Sequence, residues 1–251
     1  MRQQTQQEKQ SEQEFRRKAF HQRFECGSEY RSQGMVYGDN YIELWVKPEL
    51  RQLKDLLTES IREKLSGNVL ELGAESGHIS AYIRNNFCSR MVVASDISEI
   101  LIKAMHKVSE NFNFTLLPRA VVADNYHLPF KDASIDIVLG FSILHHVPDP
   151  QSIMEEVRRV IKKDGMALFA GEPFLPPYLL PLQVFYSVPA KRLGICERVF
   201  SLKQWFSFMP GFKVEFVRLS APKAVKSLFP QAPFIYRYFT GGGLAVGLRK
   251  S

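Results

Sequence analysis

The sequence predicts an α/β fold: a doubly wound, mostly parallel sheet of seven strands with helices on both faces. Three observations predict it. Short apolar runs alternate with helical stretches through residues 68–171, the order of repeated strand–helix units. The first run, Asn68 to Leu72, enters a turn flanked by Gly73 and Gly77 before a helix begins. That is the strand–turn–helix order of a nucleotide-binding unit. Two later runs close on carboxylates, Asp96 and Asp124, where such a sheet gathers its ligand.

The bulk numbers bound the reading. With 251 residues, 45% of them hydrophobic, the chain suits one large domain or a core domain with insertions. It has no apolar run of membrane-spanning length, so no membrane span is expected. Met1 to Glu14 is Gln-rich and charged, unlike a secretory signal. Cys26, Cys88 and Cys196 are scattered and odd in number. They fit neither a disulfide framework nor a metal site, and they predict a reducing, cytoplasmic setting. Of the net charge of +7, the excess lies in residues 158–251, which hold 15 basic and 4 acidic residues. Such a bias favours an acidic small molecule, a lipid headgroup or nucleic acid, or else is a solvated basic surface.

Residues 1–47 read as an N-terminal arm and cap segment, polar at first and then rich in Tyr and Trp. The remaining domain is expected over 48–251, with inserts at 173–200 and 222–240. Pro48 opens a helix expected to run to Leu65, with Leu50, Leu53, Leu57, Ile61 and Leu65 on one face and Gly67 at its end. After the first strand and its turn, a helix spans Ile79 to Asn86. A buried strand, Met91 to Ser95, ends at Asp96, which stands 23 residues after Gly73. At that spacing an acidic residue is placed to bind ribose hydroxyls. Asp96 also suits an N-cap of the helix expected to reach Glu110, and both roles use one position.

Ala120 to Ala123 is a third strand, closing on Asp124 and Asn125. Asp136 begins a fourth, which leads to Gly140, Phe141 and Ser142. Asp149 and Pro150 then form an N-cap and first helical residue. Ile153, Val157, Val160 and Ile161 make the buried face of that helix, expected to stop at Gly165. Met166 to Gly171 is the fifth strand, ending at Glu172. Pro173 to Pro189 is apolar but broken by five prolines, and reads as a lid walling an apolar pocket or as a surface packed on the arm. Ser201 to Phe208 is a short capped helix. Strands at Phe212 to Leu219 and Leu244 to Leu248 complete the seven, with the basic, aromatic insert between them.

Glu71-Leu72-Gly73-Ala74-Glu75-Ser76-Gly77 lacks the three-glycine spacing of a dinucleotide site. Gly73 can take a conformation closed to other residues, Gly77 has no side chain to block a ligand, and Glu71 is placed to accept hydrogen bonds from one. The stretch resembles the first motif of class I S-adenosylmethionine-dependent methyltransferases, whose pattern is acidic-x-G-x-G-x-G. Glu75 stands where the middle glycine is expected. The run Ala123 to Val138, with Asp124, Leu128-Pro129-Phe130, Asp132, Ser134 and Asp136, resembles the small-molecule branch that contains the ubiquinone and menaquinone enzymes (type 11-like). So does Leu144-His145-His146-Val147.

The resemblance implies a Rossmann-like sheet whose last strand is antiparallel, and S-adenosyl-L-methionine as cofactor. It implies cofactor contacts from Glu71, Gly73, Ala74 and Gly77, and from Asp96 and Ile97. Asp124 and Asn125 would meet adenine, and the backbone at Gly140 and Phe141 would lie along the methionine part. His145 and His146 would stand near the reacting methyl, as a proton acceptor or as anchors of the following turn. No metal is implied. Asn/Asp-Pro-Pro-aromatic and Cys-Pro signatures of base-methylating enzymes are absent from the expected positions. The expected activity is methyl transfer to a small or lipid-like acceptor, including an anionic one. Two alternatives stand beside it: an RNA methyltransferase or nucleic-acid binder using the basic last third, and a non-catalytic protein of the same fold.

Overall fold

The computed structural model describes residues 46–99, 112–183, 198–220 and 242–251, with Gln10, Glu43, Met105, Ser109 and Glu110 besides. Most of the arm and cap, the insert 222–240 and most of the helix expected before Glu110 lie outside the described residues. The elements are α1 (Lys47–Leu56), α2 (Glu59–Leu65), β1 (Asn68–Leu72), α3 (His78–Asn86), β2 (Met91–Asp96), β3 (Arg119–Val122) and β4 (Ile135–Phe141). They continue with α4 (Pro150–Val160), β5 (Ile161–Phe174), α5 (Leu202–Ser207), β6 (Phe212–Ser220) and β7 (Gly242–Lys250).

All seven strands form one sheet in the order β3-β2-β1-β4-β5-β7-β6. β1 pairs in parallel with β2 and β4, β2 with β3, and β4 with β5. β7 runs antiparallel to both β5 and β6. The chain winds outward from β1 to β3, then returns to place β4 on the other flank of β1. The crevice where the winding reverses opens at the carboxyl ends of β1 and β4, the position where such sheets bind ligands.

Alternation along the strands builds a core on each face. Leu70 and Leu72 of β1 join one buried cluster with Ile153, Val157 and Trp205, while Val69 joins the other with Leu53, Ile61 and Ile79. In β4, Ile135 faces the first cluster and Ile137 the second, although they are two residues apart. A register shift between them accounts for the change of face.

Two helices differ from the expectation, and β5 and β7 run longer than expected. The helix opened by Pro48 is two helices, broken at Leu57, where Thr58 caps α2 by accepting the Ile61 N–H. Leu56 rather than Leu57 is the fully buried residue, so the break turns α2 onto β1 with Ile61 and Leu65 inward. The helix α4 stops at Val160, short of Gly165. Its last carbonyls, from Arg159 and Val160, accept the Ala133 and Ser134 N–H groups, and Ile161 already pairs with Ile135. Asp149 caps α4 and Ser201 caps α5 as expected, the latter in a capping box completed by Gln204.

Candidate functional site

Four of the loops at the carboxyl edge line one cleft. Gly73 follows β1, Asp96 ends β2 and Ile97 follows it, Asp124 and Asn125 follow β3, and His146 follows β4. Tyr126, Ile143, Val147 and Ile153 complete its walls. The two carboxylates that the spacing singled out therefore face a common space, and Glu75 is not among the residues lining it.

Asp96 is almost fully buried, and each oxygen already accepts one backbone N–H: Oδ1 from Ser98 at 2.8 Å, Oδ2 from Glu75 at 3.0 Å. The first bond closes a turn ahead of the helix that opens at Glu99, which leaves Asp96 outside the N-cap position expected for it. The second braces the glycine turn. A carboxylate oxygen has two acceptor sites, so both retain capacity for a ligand hydroxyl. Asp124 Oδ1 accepts the Tyr126 N–H at 3.1 Å. Asn125 Oδ1 is buried with no hydrogen-bond partner among the described residues. A buried amide oxygen in that state is matched by a ligand donor such as an exocyclic amine.

Six of the anticipated residues stand elsewhere. Glu71 is turned beneath the loop: its Oε2 accepts the Ser80 N–H at 2.9 Å and the Ser80 hydroxyl at 2.5 Å. It anchors the start of α3 instead of facing the cleft. Burial pushes its carboxyl up to about 7, against the opposing pull of His78 and Ser80. Ala74 is buried against Ala94 and Met105, and its N–H donates to Ser95 O. Gly77 makes room for Met105, whose side chain a Cβ would meet at 2.6 Å. Gly140 likewise admits the ring of Phe169, and Phe141 lies in the core on the α1 side. The open backbone at these glycines thus serves packing inside the protein. Even Gly73, which does line the cleft at φ 60°, would bring a Cβ within 2.0 Å of Ile143.

His145 is the sixth. It is buried, and its Nδ1 lies 2.8 Å from Glu172 Oε2. Glu172 is the residue that sequence reasoning missed as an organiser of the site. Its Oε1 accepts the N–H groups of Ile143 and Leu144 at 2.9 and 3.0 Å, and its Oε2 that of His145 at 3.1 Å. One buried carboxylate from β5 thereby holds the whole turn that follows β4. The His145 and His146 rings lie 4.0 Å apart between centroids, so the anchored imidazole supports the one facing the cleft. A polar residue ending an apolar strand was the available signal.

The Leu128-to-Asp136 run is scaffold. Arg159 of α4 donates to Leu128 O, Phe130 O and the Asp132 carboxylate, while Glu156 accepts the Leu128 N–H and pairs with Arg159. The Glu156 and Asp132 partners raise the Arg159 pKa, and Arg159 in turn holds Glu156 below its ordinary value. Asp136 lies at the opposite end of β4 from the cleft. Burial alone would raise its pKa, but Lys162 and the Asn68 N–H hold it below the ordinary value. Tyr126 links wall to scaffold by accepting the Asp149 N–H at its hydroxyl.

Among the described residues no cluster could hold a metal ion, and no helix is long and apolar enough to cross a membrane. Residues 70–169 match a family described as a methyltransferase domain. The mitochondrial arginine-hydroxylase NDUFAF5 of Homo sapiens is 29% identical over 132 residues, 47% of this chain and 36% of that one. The malonyl-[acyl-carrier protein] O-methyltransferase of Methylovorus sp. is 31% identical over 106 residues, 41% of this chain and 36% of that one. The matches span 24% to 42% of the length of the curated relatives. In fold, geranyl diphosphate C-methyltransferase from Streptomyces coelicolor A3(2) superposes with a TM-score of 0.65 at 13% identity, covering 90% of this chain and 87% of that one. The matched segment runs from within β1 to within β5 and carries every wall of the cleft, and over it the chain matches class I, S-adenosylmethionine-dependent methyltransferase domains of the type 11 kind.

Proposed function

We propose that the cleft binds S-adenosyl-L-methionine and that the protein transfers its methyl group to a small or lipid-like acceptor, including an anionic one. The observation that carries the reading is the meeting of Asp96 with Asp124 and Asn125 around one cleft. In this reading Asp96 receives the ribose hydroxyls, and Asp124 with the buried Asn125 Oδ1 receives the adenine amino group. The cofactor supplies a methyl on a cationic sulfur, which the acceptor takes by in-line displacement. The protein's share is alignment and exclusion of water. His146, on the cleft wall, is the group placed to take a proton from an acceptor hydroxyl or amine. His145 serves as its support.

The acceptor reading is supported by the apolar stretch after β5 and the basic bias of the last third. The described ends of the insert are tied to each other, and one of them to the turn that carries His145. Leu175 N–H donates to Phe200 O, and Arg198 N–H donates to His145 O. The organisation proposed is an arm and cap over 1–47 and a catalytic domain over 48–251 with inserts at 173–200 and 222–240. The odd cysteine count and the exposed free thiol of Cys88 support a cytoplasmic setting. Incubation with methyl-labelled cofactor and fractionated cell extract tests the proposal. Label in acidic or lipid-soluble products is expected. Label confined to polar, uncharged metabolites refutes the acceptor class, and salt-sensitive label in RNA favours the nucleic-acid alternative. The human relative's name also makes oxygen incorporation at arginine an outcome to score; its appearance without label transfer refutes methyl transfer.

A further inference from the structure

The loop that meets the cleft at Gly73 continues through Glu75, Ser76 and Gly77 into α3. Glu75 has φ 46°, a left-handed backbone that glycine takes freely and that other residues adopt at a cost of roughly 1 kcal/mol. Something must therefore hold the turn. Its N–H donates to Asp96 Oδ2 at 3.0 Å. The next residue, fully buried Ser76, places its hydroxyl 2.8 Å from His78 Nδ1. His78 Nε2 lies 2.8 Å from Glu49 Oε2. Glu49 belongs to α1, which Leu50, Leu53 and Leu56 fasten to the sheet. A helix that precedes β1 thus reaches the loop through one chain of side chains.

The electrostatics favour that chain. Burial alone would drive the His78 imidazole toward its neutral form. The hydrogen bond to Glu49, with the charges of Glu49, Glu71 and Glu75 around the ring, outweighs burial and raises its pKa. Glu49 is only partly buried, with a fifth of its side chain exposed (19%), so its carboxylate keeps some hydration while it bonds the ring. Neither Glu49 nor His78 lines the cleft.

We propose that Glu49, acting through His78 and Ser76, is a positioning residue for the cofactor loop, holding in its binding shape a turn that lacks the family's middle glycine. The inference rests on the cleft reading above. It predicts a dependence that a merely structural pair would not have: restoring glycine at position 75 makes the chain of hydrogen bonds dispensable for binding.

Calorimetric titration of the full chain with S-adenosylhomocysteine, alongside thermal melting, tests it. Wild-type protein that binds nothing refutes the cleft reading itself. Given wild-type binding, Glu49→Gln and Glu49→Ala are expected to weaken affinity about tenfold, the worth of one charge-assisted hydrogen bond. Glu75→Gly added to Glu49→Gln is expected to recover affinity to within about twofold of Glu75→Gly alone. Glu49→Gln is isosteric and partly exposed, so it reports even where His78→Gln fails to fold. Affinity of Glu49→Gln within about twofold of wild type overturns the proposal. So does an unchanged loss in the Glu75→Gly background, or a loss of melting temperature with affinity intact.

Discussion

Glu172→Ala should destabilise the protein as much as a large truncation in its apolar core. The carboxylate is 1% exposed and accepts three backbone N–H groups, from Ile143, Leu144 and His145, besides the His145 ring nitrogen. Removing it strands four donors in the core. Each stranded donor costs about 1–3 kcal/mol, and water entering the space left behind recovers part of this. A net loss of about 3–5 kcal/mol follows, a large share of the 5–15 kcal/mol typical of a whole domain. Glu172→Gln keeps an acceptor for Ile143 and Leu144 but turns an amide donor toward His145, so about half that loss is expected. Urea denaturation followed by tryptophan fluorescence reports it, because Trp205 is buried beside the site with its Nε1 donating to Pro173 O. A loss under about 1 kcal/mol at unchanged denaturant slope would refute the reasoning, since an unpaired buried donor cannot be that inexpensive.

Other perturbations test separate parts of the site. Asp96→Ala should weaken cofactor binding by about 1–3 kcal/mol through lost hydrogen bonds to a charged acceptor, measured by calorimetry. Unchanged affinity would put the ribose elsewhere. Gly73→Ala brings a Cβ to 2.0 Å from Ile143 at φ 60°, so a loss of about 2–4 kcal/mol is expected from overpacking and strain together; melting curves read it. The folded Glu71 carboxyl holds its proton up to about 7, against an ordinary 4.5, so between those values the folded state binds more protons than the unfolded one. Its stability contribution is complete below 4.5 and is lost as pH rises through about 7, a change of about 3–4 kcal/mol at 1.4 kcal/mol per unit. Glu71→Gln should flatten that fall relative to wild type, and an identical pH profile of denaturation midpoints would count against it. His78 beside it titrates in the same direction, with its folded pKa raised, so the comparison is made between the two proteins at each pH.

The order of strands and helices was legible because burial on a pleated sheet or one helix face writes a period into the chain. Leu70 and Val69 alternate as β1 demands, and Asp149 with Pro150 marks the start of α4 as capping chemistry demands. Spacing also located Asp96 and Asp124 on one cleft, because strand ends in a parallel sheet share an edge whatever the loops contain. Periodicity did not reveal the break between α1 and α2, since Leu56 and Leu57 are equally apolar and only the packing on β1 selects one of them.

What local sequence could determine was the fold and the edge of the sheet on which a ligand sits. Which polar side chains face that ligand, and which face the protein, was decided by contacts between residues far apart in the chain. Glu71 and Glu172 are both carboxylates at strand ends, yet each is spent on backbone N–H groups of a neighbouring turn. His145 and His146 are adjacent, yet one is bound to Glu172 and the other lines the cleft. The physical reason is that a buried donor or acceptor must be paired. Its partner is set by which loop the closed sheet brings within 3 Å, a distance that no run of neighbouring residues contains.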